Sequence, residues 1–161
     1  MSCAKEPRLR GPGAGEGALE FSAQLRCAQL WAVGSDGLVV HFDGTSWTME
    51  ETQVGYARLE DVWISPDSSA DPHVFAVGQY GIIIVRDSSG WRRLEDIIDE
   101  DLYAVWGDGQ GQVWVVGDNG TILKWDGLTF NQVSAPIDTE MLFDVGGTGP
   151  DDVWILGDKL A

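Results

Sequence analysis

Carboxylates are the chemically dominant side chains of this chain. Its 161 residues include 26 Asp or Glu against 10 Lys or Arg, a net charge of −16, and the densest acidic run is EDIIDED, Glu95 to Asp101. Hard carboxylate oxygens at that density suit a divalent cation or a basic protein surface. A calcium loop would read D-x-D-x-D-G, and no such pattern occurs. Glu95, Asp96, Asp99, Glu100 and Asp101 are therefore a candidate face for a partner rather than metal ligands. Ordinary solvation is the simpler account of the same charges.

The other reactive side chains do not assemble into a reaction. His41 and His73 stand singly, with no Cys or second His at ligand spacing. A glycosidase needs two carboxylates about 5 to 10 Å apart, and a sialidase adds a Tyr nucleophile and converging arginines. Arg58, Arg86, Arg92 and Arg93 fall at non-equivalent positions of the pattern described below, which does not predict convergence. Neither a Ser-His-Asp set nor a cofactor motif is present, so no enzyme activity, cofactor or metal is expected. From Gln29 onward there are 23 acids and 6 bases, the wrong balance for phosphate, and nucleic-acid binding is set aside.

The elements that must position these residues repeat. LWAVG (30–34), VFAVG (74–78), VWVVG (113–117) and VWILG (153–157) recur with their aromatics 44, 39 and 40 residues apart. After each of the first three comes a G-x-x-G turn: Gly34 to Gly37, Gly78 to Gly81, Gly117 to Gly120. Gly, Asn and Asp tolerate the positive φ of a tight hairpin there. Short β-branched runs follow, LVVHFD, IIIVRD and ILKWD, and each final acid opens a second turn before an aromatic, in DGTSW, DSSGW and DGLTF. A last strand reads L-x-x-V-[WG] at Leu59, Leu102 and Leu142.

A period near 40 with this Trp and Gly content predicts an all-β fold of β-propeller blades, each of four antiparallel strands. Three complete blades are expected at about 29–65, 73–108 and 112–147, with an opening strand from 152. Residues 1–28 form a Gly-rich amino-terminal segment in which LEFSAQLRC, Leu19 to Cys27, could be a divergent strand. Propellers close with four to eight blades. The chain is thus expected to be part of a larger propeller or, if complete, to close by pairing two copies as a homodimer. Seven of the eight Trp residues sit at recurring positions and Trp125 replaces Phe42. All eight are expected in the core, each burial contributing about 1.5 to 3 kcal/mol.

These phrases resemble the bacterial propeller repeats grouped as BNR or Asp-box-like, YVTN-like and WD-like, over about Gln29 to Asp158. The copies depart from the Asp-box in having four residues, not five, from Asp to the aromatic. The resemblance implies a secreted or envelope protein, although this frame has neither a signal peptide nor a membrane span. With no catalytic set among its residues, the chain is expected to be a non-enzymatic interaction or scaffold module that binds a protein or glycan partner through its loop faces. The alternative is a fragment of a sialidase-like or other hydrolytic propeller whose catalytic residues lie outside this chain. Cys3 and Cys27 make no disulfide framework.

Overall fold

A computed structural model of the chain describes residues 9–10, 21–26, 29–65, 73–95, 97–134 and 139–159. Cys3, Cys27, the Gly-rich stretch and Asp96 lie outside them. The described residues are all-β apart from a 3₁₀ turn at Ser35–Gly37, and no helix among them is long and apolar enough to cross a membrane.

Among the described residues, fifteen strands form four antiparallel sheets. The first holds β1 (Leu9–Arg10), β2 (Phe21–Arg26), β3 (Gln29–Gly34), β4 (Val39–Phe42) and β5 (Trp47–Glu50), in that order. The second holds β6 (Leu59–Ile64), β7 (Val74–Gly78), β8 (Ile83–Asp87) and β9 (Gly90–Leu94). In the third are β10 (Leu102–Gly107), β11 (Val113–Gly117), β12 (Ile122–Trp125) and β13 (Phe130–Gln132), and the fourth pairs β14 (Thr139–Gly149) with β15 (Asp152–Lys159).

The sheets are out of phase with the repeat units. The L-x-x-V-W strand does not finish a sheet. Leu59 pairs with Gly78 and Trp63 with Phe75, so β6 begins the sheet that the next three strands complete. β10 and β14 do the same through Trp106↔Trp114 and Gly146↔Trp154. A sequence period fixes spacing but not phase, and backbone pairing supplies the phase. The sheet limits expected at 65, 108 and 147 therefore move one strand earlier. Trp114, in the first strand of the blade expected at 112–147, lies on the second strand of its sheet.

The hairpins are tight because two consecutive residues take positive φ: Asp36 and Gly37 at 58° and 65°, Tyr80 and Gly81 at 58° and 64°, Asn119 and Gly120 at 53° and 65°. The second glycine is thus inside the turn. At Gly81 a Cβ would also run into the Ile98 carbonyl, so both backbone sign and space require glycine.

The sheets stack face to face in chain order. β2 lies against β6, β6 against β10, and β10 against β14. One apolar layer, including Trp31, Val33, Leu59, Val62 and Ala76, fills the gap between sheets one and two. A second, with Trp63, Phe75, Val105 and Val115, joins sheets two and three, and a third, with Trp106, Val116, Leu142 and Val145, joins three and four. Glycines admit the tryptophans: the Trp63 ring lies where Gly107 would carry a Cβ, and the Trp106 ring lies over Gly147.

The expectation that every Trp is core needs correction. Trp31, Trp63 and Trp106 are buried, and Trp91, Trp114 and Trp125 are half-buried against the layers. Trp47 and Trp154 are 57% and 68% exposed. They lie on the outward faces of the first and last sheets, where no described sheet covers them.

Candidate protein-binding face

Because each sheet is a simple meander, alternate connections emerge on the same side. The β3–β4, β7–β8 and β11–β12 turns share one loop face with the β5–β6, β9–β10 and β13–β14 connections. Hydrogen bonds tie them together. Gly37 N donates to the Ala57 carbonyl at 2.8 Å, and Tyr80 N donates to Asp101 Oδ1 at 2.8 Å. Asp118 forms a β-bridge with Met141.

Of the described acids on the opposite loop face, all but the exposed Asp151 are bonded within their own turns. Asp43 Oδ1 accepts from the Thr45 and Ser46 amides at 2.8 and 2.9 Å, and Asp126 Oδ1 accepts from Leu128 and Thr129 at the same distances. Asp87 accepts from Ser89 N and Asp108 from Gln110 N and Gln112 N. Asp152 accepts from Thr148 Oγ1 and Trp154 Nε1. The turns of Asp43, Asp87 and Asp126 are the Asp-entry turns legible in the sequence. The backbone donors hold the Asp43 and Asp126 carboxyls below the usual carboxylate range, led by Ser46 N and Thr129 N respectively.

On the first face the balance differs. Asp36, Glu51, Asp99 and Glu100 have no hydrogen-bond or ion-pair partner among the described residues, and all but the half-buried Glu100 are exposed. Two tyrosines stand among them, Tyr56 at 92% and Tyr80 at 68% exposure.

Of the five acids singled out in the sequence, Asp99 and Glu100 remain available. Glu95 lies 3.5 Å from Arg93 Nε, Asp101 caps the Tyr80 turn, and Asp96 is outside the described residues. Ile97 and Ile98, within the same run, pack on the layer between sheets two and three and anchor it. Asp118 accepts from Tyr103 Oη at 3.0 Å. Burial, then that bond and the neighbouring acids, push the Tyr103 phenol up to about 12.

Glu50, the last residue of β5, turns its carboxylate inward between sheets one and two. Glu50 Oε2 accepts from Trp91 Nε1 at 2.7 Å and from Arg86 Nε at 3.1 Å. His41 stacks on Trp31 at 4.0 Å and holds Nδ1 3.8 Å from Glu50 Oε1. Burial lowers the His41 pKa, against the pull of Glu50 and with the push of Arg86. The pairing of Arg86 with Glu50 joins two sheets and is invisible to motif spacing. Among the described residues no three His, Cys, Asp or Glu side chains are grouped to hold a metal ion.

No protein-family model matches the chain. The immune protein Tsi7 of Pseudomonas aeruginosa is 30% identical over 104 residues, 62% of this chain and 32% of that protein. The chain thus spans about a third of the length of the curated relative it matches.

Proposed function

We propose that this chain is a non-catalytic interaction module of β-propeller type, related to the BNR- and YVTN-like repeats, that binds a basic protein surface. The binding face is the one carrying Asp36, Glu51, Tyr56, Tyr80, Asp99 and Glu100. One observation carries the reading: Asp36, Glu51, Asp99 and Glu100 have no partner among the described residues, whereas five acids of the opposite loops are bonded to their own turns. Exposed tyrosines among unpaired charges are the composition of a protein-binding surface, the rings supplying contact area and the charges steering encounter.

The blade reading rests on stacked antiparallel meanders, the second and third of them four-stranded, with β2, β6, β10 and β14 lying side by side. The non-catalytic reading is supported by the arginines. Arg58, Arg86, Arg92 and Arg93 each lie near a carboxylate, of Glu60, Glu50, Asp87 and Glu95 respectively. Likeness to a protein described as an immune protein fits a role exercised through a protein partner.

The test is an NMR titration of the labelled chain with lysozyme as a basic protein probe. Shifts centred on Tyr56, Tyr80 and Asp99 are expected. Shifts centred on the turns of Asp43, Asp87 and Asp126, or spread evenly, would overturn the proposal.

A further inference from the structure

The two ends of the sheet stack expose the two halves of an interface that the chain builds three times inside itself. Each sheet offers one face to the sheet before it and the other to the sheet after it. On the second strand, the residues facing forward are Phe75 and Val77 in sheet two and Trp114 and Val116 in sheet three, packed in the layers toward sheets three and four. Trp154 and Leu156 hold the same register in sheet four: they pair with Gly146 and Asp144, as Phe75 and Val77 pair with Trp63 and Asp61. There they are 68% and 53% exposed, beside exposed Phe143. At Gly146, where sheets two and three carry Trp63 and Trp106, a Cβ would meet nothing within 4 Å.

The backward face is repeated at the other end. Sheet two shows sheet one Val74, Ala76, Ile82 and Ile84. Sheet one has Leu30, Ala32, Leu38 and Val40 at the matching positions, the pair Ala32↔Val40 corresponding to Ala76↔Ile84. These four are half-buried, and Ala32, Leu38 and Val40 line, with exposed Met49, a groove of about 810 Å³. Its apolar floor is what a neighbouring forward face covers elsewhere in the molecule.

We propose that this chain assembles head to tail with a second copy, the β14–β15 face of one seating on the β3–β5 face of the next. The occupant follows from continuity with the internal interfaces: what covers a backward face in this chain is a forward face of its own repeat. Forward and backward faces differ, so the contact is heterologous and each copy keeps one free face for another. The burial of Trp154, Leu156 and Met49 supplies the driving force. The loop face proposed for a basic partner is separate and is not used.

The test is sedimentation velocity of the full chain from micromolar to millimolar concentration, with Trp154→Lys and Met49→Lys. Both sites are exposed, so both variants should fold, and circular dichroism checks this; Leu156→Lys serves as a second forward-face variant. The expected result is concentration-dependent association of the parent and monomers of each variant alone. Mixing Trp154→Lys, whose backward face is intact, with Met49→Lys, whose forward face is intact, should restore one contact and stop at a 1:1 dimer. A parent monomeric throughout, variants that associate like the parent, or a mixture that stays monomeric would overturn the proposal.

Discussion

Asp61 Oδ2 accepts the Val105 backbone N–H at 2.9 Å, linking the first strands of two adjacent sheets by a single side chain. Asp61 is 0% exposed. A register shift between Leu59 and Asp61 inserts an extra residue into β6 beside this contact, and the same irregularity recurs in β10 and β14. At the position equivalent to Asp61, sheet three has Ala104. The Val145 N–H of the following strand is instead met by Asp144 Oδ1, 2.9 Å away. A buried amide at this junction thus finds a carboxylate in both cases, as the desolvation of an unpaired N–H demands.

Asp61→Ala should accordingly destabilise the fold by about 2 to 3 kcal/mol, the range for losing a buried bond to a charged acceptor and leaving its donor unmet. Asp99→Ala, with no partner to lose, should stay within about 0.5 kcal/mol. Urea unfolding of the two variants measures the difference, and equal midpoints would contradict the link.

Trp63→Ala should cost about 3 to 5 kcal/mol, because the ring fills the space over Gly107 and the surrounding layer is sheet-on-sheet packing with nothing to replace it. Trp47→Ala should cost about 1 kcal/mol or less, since Trp47 is exposed and its ring meets Phe42 only from the outside, centroids 5.2 Å apart. Thermal unfolding at low concentration, below any self-association, gives the comparison.

His41 should make the junction of sheets one and two sensitive to acid. Its pKa in the fold lies below the ordinary value of about 6.5, chiefly through burial, so the folded state binds the proton less readily than the unfolded state. The contribution is present above that value and is lost as pH falls through the lowered pKa. Glu50 and Asp43 draw the proton in, and Arg86 and burial oppose it. Melting temperature should decline as pH falls below the ordinary imidazole value of about 6.5, and His41→Gln should flatten that part of the decline.

Tyr103 should be a late-titrating phenol. Its pKa is raised to about 12, so folding favours the protonated ring, and the associated stability is kept below about pH 10 and lost as pH rises toward the folded value. Ultraviolet titration of tyrosinate should show a transition near that value, and Tyr103→Phe should remove it.

The strands and turns of this fold were legible because each is specified locally. Asp36-Gly37, Tyr80-Gly81 and Asn119-Gly120 mark hairpins through backbone sign, and Asp43 and Asp126 mark turns through bonds to residues two and three positions on. What was not legible depends on which surface meets which. The pairing of Leu59 with Gly78, rather than with the preceding strand, is set by backbone hydrogen bonds that a cyclic pattern leaves unphased. Trp47 and Trp154 carry the same pattern as their buried counterparts and differ only in having no described sheet beyond them. For the candidate face, the acidic run was visible, but its division into a capping Asp101 and available Asp99 and Glu100 was not. Tyr80 could have been noticed as the one aromatic in a hairpin turn, an unusual residue at positive φ. Tyr56, in the β5–β6 connection, gave no comparable signal.

The most direct measurement of the central claim compares equal losses of charge on and off the proposed face. Glu51→Gln/Asp99→Asn removes two unpartnered carboxylates from it. Asp43→Asn/Asp151→Asn removes two exposed carboxylates from the opposite loop face. Calorimetric titration with lysozyme at fixed low salt should find binding weakened about fivefold or more by the first pair, equivalent to about 1 kcal/mol, and less than about twofold by the second. Equal weakening by the two pairs would mean that only net charge is being read, and would contradict a dedicated binding face.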